Sequence, residues 1–153
     1  MPKKDGKEPK FPPWTVEVDV HLKSDSCPPN FTIESFLKEG RGDRLVFNNA
    51  GRPGFNIVFR LHDETGKGYR FPSHQQRKDA VWSQLGANCC PTSERWEVFE
   101  PKRVFDDEMA LTVYNPNPSP AQGDFTYTLR VTADGTNYLE LDPGGLNQNG
   151  NFR

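Results

Sequence analysis

A strict two-residue alternation near the start of this chain limits its fold more than any other feature. Trp14, Val16, Val18, Val20 and Leu22 interleave with Thr15, Glu17, Asp19 and His21. A β-strand satisfies that period by sending successive side chains to opposite faces, one to a core and one to water. The same period returns at Phe55, Ile57, Phe59 and Leu61, with Asn56 and Val58 on the other face, and again at Phe125, Tyr127, Leu129 and Val131. The last of these puts Thr126, Thr128 and Arg130 on a face open to water or to a neighbouring subunit.

Weaker signals of the same kind mark strands at Phe31–Leu37, Arg44–Asn48, Arg95–Phe99, Met109–Tyr114 and Asn137–Leu141. Tyr69–Phe71 reads as a short strand pairing back on its predecessor across the turn Asp63-Glu64-Thr65-Gly66-Lys67-Gly68. Arg77–Leu85 fits a short helical turn, with Ala80, Val81, Gln84 and Leu85 on one side. Asn115-Pro116-Asn117-Pro118-Ser119-Pro120 is a loop, because its prolines lack backbone donors. Many short strands, no long helix and no repeat give an all-β fold, a single Greek-key β-sandwich of immunoglobulin-like or cupredoxin-like outline.

Composition must allow such a sandwich to hold together. Hydrophobic residues are only 33% of the chain, a share that alone would suggest disorder. Eleven Phe, four Tyr and three Trp offset this, since each buried aromatic removes roughly 150 to 250 Å² from water. The core is therefore expected to be narrow and aromatic. At 153 residues the chain suits one domain. Residues 1–13 mix Lys3, Lys4, Lys7 and Lys10 with Asp5 and Glu8 before Pro12-Pro13 and read as a charged arm. Residues 14–143 form the domain, and 144–153 a tail.

Charge and cysteines narrow the classes of partner. A net charge of −2 provides no general field for nucleic acid or an anionic membrane. No stretch is long and apolar enough for a membrane span, and the opening residues lack the apolar run of a secretory signal, so a cytoplasmic protein is expected. Three cysteines, Cys27, Cys89 and Cys90, do not make a disulfide framework and fit a reducing compartment.

The stretch Phe59–Phe71, a ribbon around Thr65-Gly66-Lys67-Gly68, and the ending Gly123–Thr132 followed by Tyr138-Leu139-Glu140-Leu141-Asp142-Pro143 and an Asn-rich tail carry a family likeness. In these segments the chain resembles the small bacterial DP-EP family. The resemblance implies a compact bacterial β-sandwich and no assigned biochemical activity. The charged arm and the longer Pro72–Ser93 connection with Cys89-Cys90-Pro91 depart from that pattern.

Candidate sites are few. Blue copper needs two His and a Cys with an axial Met, and one His should follow the Cys closely. Here His21, His62 and His74 all precede Cys89, and only Met109 follows it. Zinc lacks a C-x₂-C spacing, and half-buried thiols are the simpler reading of the cysteines. Arg41-Gly42-Asp43 reads as a turn, Asn30-Phe31-Thr32 as a sequon relevant only to an exported protein, and Gly66-Lys67 as a hairpin turn without the phosphate-loop glycine. Asp142, Asn147 and Asn149 offer oxygens to calcium, but Gly144-Gly145 among them more simply marks the tail.

Arg60, Lys67, Arg70, Arg77 and Lys78, with Tyr69 and Phe71 between them, make the nearest approach to a basic patch with stacking rings, diluted by Asp63, Glu64 and Asp79. Tyr69, Trp82 and Trp96 are the candidate ligand-binding residues, the two tryptophans as platforms for a flat ligand or as plugs at the sandwich end. No Ser/His/Asp, Cys/His or paired-carboxylate constellation can be assigned, so no catalytic, cofactor or metal residue is named. The expected function is a non-enzymatic interaction module that binds protein or its own copies as a homo-oligomer. The rival is a metal-binding or enzymatic domain with a site on the 72–93 loop, built from His62, His74 and Cys89.

Overall fold

A computed structural model describes residues 14–38, 44–47, 54–86, 91–116 and 123–147. The proposed arm at 1–13, Arg41-Gly42-Asp43, Cys89, Cys90, most of the 115–120 loop and Asn149 lie outside the described residues. Among the described residues ten strands form two sheets. The first sheet is ordered β2 (Asn30–Glu34), β1 (Trp14–Ser24), β4 (Phe55–Asp63), β7 (Ala110–Asn115) and β6 (Glu100–Phe105). The second runs β3 (Leu45–Phe47), β10 (Gly144–Asn147), β8 (Gly123–Thr132) and β5 (Val81–Leu85), with β9 (Tyr138–Leu141) also on β8. No helix among the described residues is long and apolar enough to cross a membrane.

The inward faces of β1 and β4 are those the alternation predicts, although Val58 on the other face of β4 is buried as well. Val16, Val18, Val20 and Leu22 are buried, as are Phe55, Ile57, Phe59 and Leu61, and β1 and β4 run parallel in register from Trp14 opposite Phe55 to Leu22 opposite Asp63. Rings from both sheets meet between them. Phe99 stands 4.9 Å from Tyr127, 5.3 Å from Phe125 and 6.2 Å from Phe59, centroid to centroid, and Phe47 stands 5.1 Å from Phe55. These edge and tilted contacts join the sheets into one core.

Several elements differ from the sequence reading. Tyr69–Phe71 does not pair back on β4. Asp63 accepts hydrogen bonds from the backbone N–H groups of Thr65, Gly68 and Tyr69, so the chain turns away and Arg70 exchanges backbone bonds with Thr132 of the second sheet. The short helix is a 3₁₀ turn at His74–Asp79, and Val81–Leu85 is strand β5, because Val81 and Ser83 are inward-facing and pair with β8. Arg95–Phe99 makes one parallel bridge, Ser83 to Trp96, in place of a strand. The strand follows it as β6, which Glu100, Pro101, Lys102 and Arg103 disguise. It is a sheet edge, where a proline and charges are tolerated.

The second strand ends at Glu34, after which the chain changes sheets: Val46 donates to the carbonyl of Leu37, and Lys38 bridges Leu45. Residues 144–147, read from the sequence as the start of a tail, are strand β10. Leu141 lies opposite Leu129 and Gly144 opposite Thr126 in one continuous register, so β9 and β10 are one partner of β8 interrupted at Asp142-Pro143, where the proline has no N–H to donate. Nor does burial alternate along β8. Thr126 and Thr128 are buried like their apolar neighbours, and Arg130 is half-buried.

Candidate functional site

A hollow of about 430 Å³ opens between the chain leading into β6 and the end of β7. Trp96, Tyr114, Pro101 and Pro116 give it apolar walls, and Lys78, Glu97 and Glu100 supply its charges. Its size and mixed lining match a ligand cleft.

Ser83 on β5 builds one wall. Its buried hydroxyl accepts from the backbone N–H groups of Val98 and Phe99 at 3.1 and 2.9 Å, while its own backbone donates to Arg95 and accepts from Glu97. These four bonds pin residues 95–99 beside β5, sending Phe99 into the core and leaving Trp96 partly exposed at the cleft. The Trp96 indole N–H donates to the Lys78 carbonyl at 3.1 Å, and the Lys78 ammonium lies 5.2 Å from its ring centroid. Across the cleft the Lys102 ammonium lies 6.0 Å from the Tyr114 ring, and the same lysine pairs with Glu100 at 3.2 Å. Glu97 accepts from the backbone N–H of Leu85, which with the Arg95 guanidinium holds its carboxyl below the ordinary value.

The three candidate ligand residues do not come together. Trp96 lines the cleft, Tyr69 borders a separate hollow of about 140 Å³ beside Asp134 and Tyr138, and Trp82 lines neither. Tyr69 is a tie between loops. Its hydroxyl donates to Asp25 at 2.8 Å, which pushes the phenol up to about 12, and the same bond, followed by that from Lys67, lowers Asp25. Trp82 is buried on the outer side of the second sheet, where the Arg130 guanidinium lies 3.9 Å from its ring and 4.2 Å from that of Tyr138.

Three of the five cations of the basic patch are neutralised locally. Arg60 pairs with Glu17 and Asp106, Lys67 with Asp25, and Arg70 with Glu108. His62 and His74 have different partners: His62 stacks on His21 at 4.5 Å and meets Asp19 at 2.8 Å, whereas His74 Nδ1 accepts from the Val104 backbone. No three of His, Cys, Asp and Glu gather to hold a metal ion among the described residues.

Sequence reasoning missed Tyr114, Pro101, Pro116 and Glu100 as cleft residues. One signal was present. The alternation that turns Leu111 and Val113 inward necessarily turns Tyr114 outward, directly before the prolines of the loop. No family model matches this chain, and no curated protein matches it.

Proposed function

We propose that the protein is a non-enzymatic interaction module, a Greek-key β-sandwich that binds an extended, proline-bearing segment of protein in the Trp96–Tyr114 cleft. The observation that carries this is the cleft itself: two aromatic rings and two prolines flank an open channel edged by exposed charges. Polyproline segments dock in aromatic-lined grooves because their backbone is extended before binding and loses little entropy. Parallel pairing of β1 with β4 and of β3 with β10 departs from the antiparallel sheets of immunoglobulin domains and favours the cupredoxin-like outline. The DP-EP resemblance belongs to the same proposal, with Asp142-Pro143 at the break between β9 and β10.

The test is a fluorescence titration of the full chain with a polyproline peptide and a Gly/Ser peptide of equal length. Saturable change with polyproline alone, lost in Trp96→Phe, is the expected result. Equal response to both peptides, or none to either, ends the proposal. Sedimentation of the same samples reads whether the protein partner is a second copy.

A further inference from the structure

We infer that the Trp96–Tyr114 cleft selects proline-bearing segments that carry an acidic side chain, and that Lys78 is the residue that reads the acid. The inference rests on the reading of the cleft as a site for proline-bearing protein segments and names the charge of the segment. Of the cations in the basic patch, Arg60, Lys67 and Arg70 are paired with carboxylates. Arg77 and Lys78, both on the 3₁₀ turn His74–Asp79, have no carboxylate partner among the described residues. Arg77 folds back on that turn, its guanidinium donating to the His74 carbonyl at 3.2 Å. Lys78 is exposed and lines the cleft.

The carboxylates that line the cleft are already compensated. Glu97 accepts from Arg95 at 3.1 Å and from the Leu85 backbone N–H at 2.9 Å, and Glu100 holds Lys102 at 3.2 Å. Each pair is neutral, so the charge that the described lining offers an incoming segment is that of Lys78. Complementarity favours a carboxylate there, whereas a cation in the segment would meet a like charge.

Lys78 is also placed to act together with the ring. The Trp96 indole N–H donates to the Lys78 carbonyl at 3.1 Å, and the Lys78 ammonium stands 5.2 Å from the ring centroid. One residue thus fixes the ring through its backbone and sets a cation beside it through its side chain. A polyproline helix rises about 3.1 Å per residue, so the 5.2 Å offset is about two residues long. The acid and the proline that packs on Trp96 are therefore close neighbours in the segment.

The experiment is a fluorescence titration of the full chain with polyproline peptides, acetylated and amidated at their ends, whose central residue is Glu, Gln or Lys. At low salt the Glu peptide should bind about three- to fivefold more tightly than the Gln peptide, the worth of a well-placed surface ion pair, and the Lys peptide should bind most weakly. Salt at about 1 M, which shortens the screening length to about 3 Å, should erase the difference and leave the Gln peptide bound. In Lys78→Gln the preference for Glu should vanish, and in Lys78→Glu the order should reverse. Both variants keep the backbone carbonyl that holds Trp96, and a purely structural role for Lys78 would not produce the reversal. Equal binding of the Glu and Gln peptides, or a preference for Glu that survives in Lys78→Glu, overturns the inference and leaves the module intact. A preference of the unaltered chain for the Lys peptide overturns it in favour of Glu97 and Glu100 as the readers. No binding of any polyproline peptide, or equal binding of a Gly/Ser peptide with the same central Glu, overturns both.

Discussion

The hydroxyl of Thr128 donates a 2.6 Å hydrogen bond to Asp142, across the break that Pro143 makes between β9 and β10. Thr128 is fully buried although it lies on the face of β8 that the sequence gives to water. Thr128→Ala should therefore destabilise by about 1 to 2 kcal/mol, combining one net hydrogen bond with one buried methyl. Thr128→Val keeps the shape, and exposed Asp142 regains water, so it should cost about half as much. Urea melts of the two variants separate the terms, and a Thr128→Ala change below about 0.5 kcal/mol would show that this face is solvated after all.

Arg130 lies between Trp82 and Tyr138, its side chain 12% exposed, and bonds Glu140 and the Asp79 carbonyl. A planar guanidinium serves both rings and both acceptors, which a lysine ammonium cannot. Arg130→Lys is expected to lose about 1 to 3 kcal/mol and to alter the near-ultraviolet dichroism of Trp82. Unchanged dichroism with unchanged stability would mean that the stack contributes nothing.

What was legible in the sequence followed from side chains with a single physical role. Val16 to Leu22 and Phe55 to Leu61 go inward because nothing else suits them, and their period fixed the strands. Pairing partners were hidden, since whether Arg70 meets β4 or Thr132 depends on the carboxylate of Asp63 folding back on its own turn. The cleft was hidden for a similar reason. Trp96 was visible, but Tyr114, Pro101 and Pro116 join it only through the β6–β7 pairing, which the charged edge strand concealed.

The Tyr69–Asp25 bond has a pH signature at both ends of the scale. A phenol moved from 10.0 to about 12 contributes stability that is complete below pH 10 and is lost as pH rises through the folded value. Asp25, lowered chiefly by the same hydroxyl, contributes stability present above its ordinary 3.8 and lost as pH falls through its lower folded value. Tyr69→Phe should flatten the stability curve relative to the unaltered chain in both windows and leave the slope between them unchanged. Parallel curves at high pH would show that the phenol has no such partner in solution.

The turn from β6 to β7 passes through Asp106, Asp107 and Glu108, all left-handed with φ of 54, 55 and 68. L-residues pay for that conformation through the clash of Cβ with the neighbouring carbonyl, on the order of 1 kcal/mol each, and glycine does not. Two of the three are held by arginines from other elements: Arg60 bonds Asp106 at 3.0 Å and Arg70 bonds Glu108 at 3.0 Å. Their replacement by glycine trades lost ion pairs against relieved strain. Asp107 is exposed between them, so Asp107→Gly relieves the backbone without removing a buried contact. Gains from the folded side exceed the extra entropy of a glycine in the unfolded chain, and the variant should be more stable by about 0.5 to 1 kcal/mol. Thermal melts should move upward. A downward shift as large as that expected for glycine in an ordinary strand would show that residue 107 does not hold a left-handed conformation in solution.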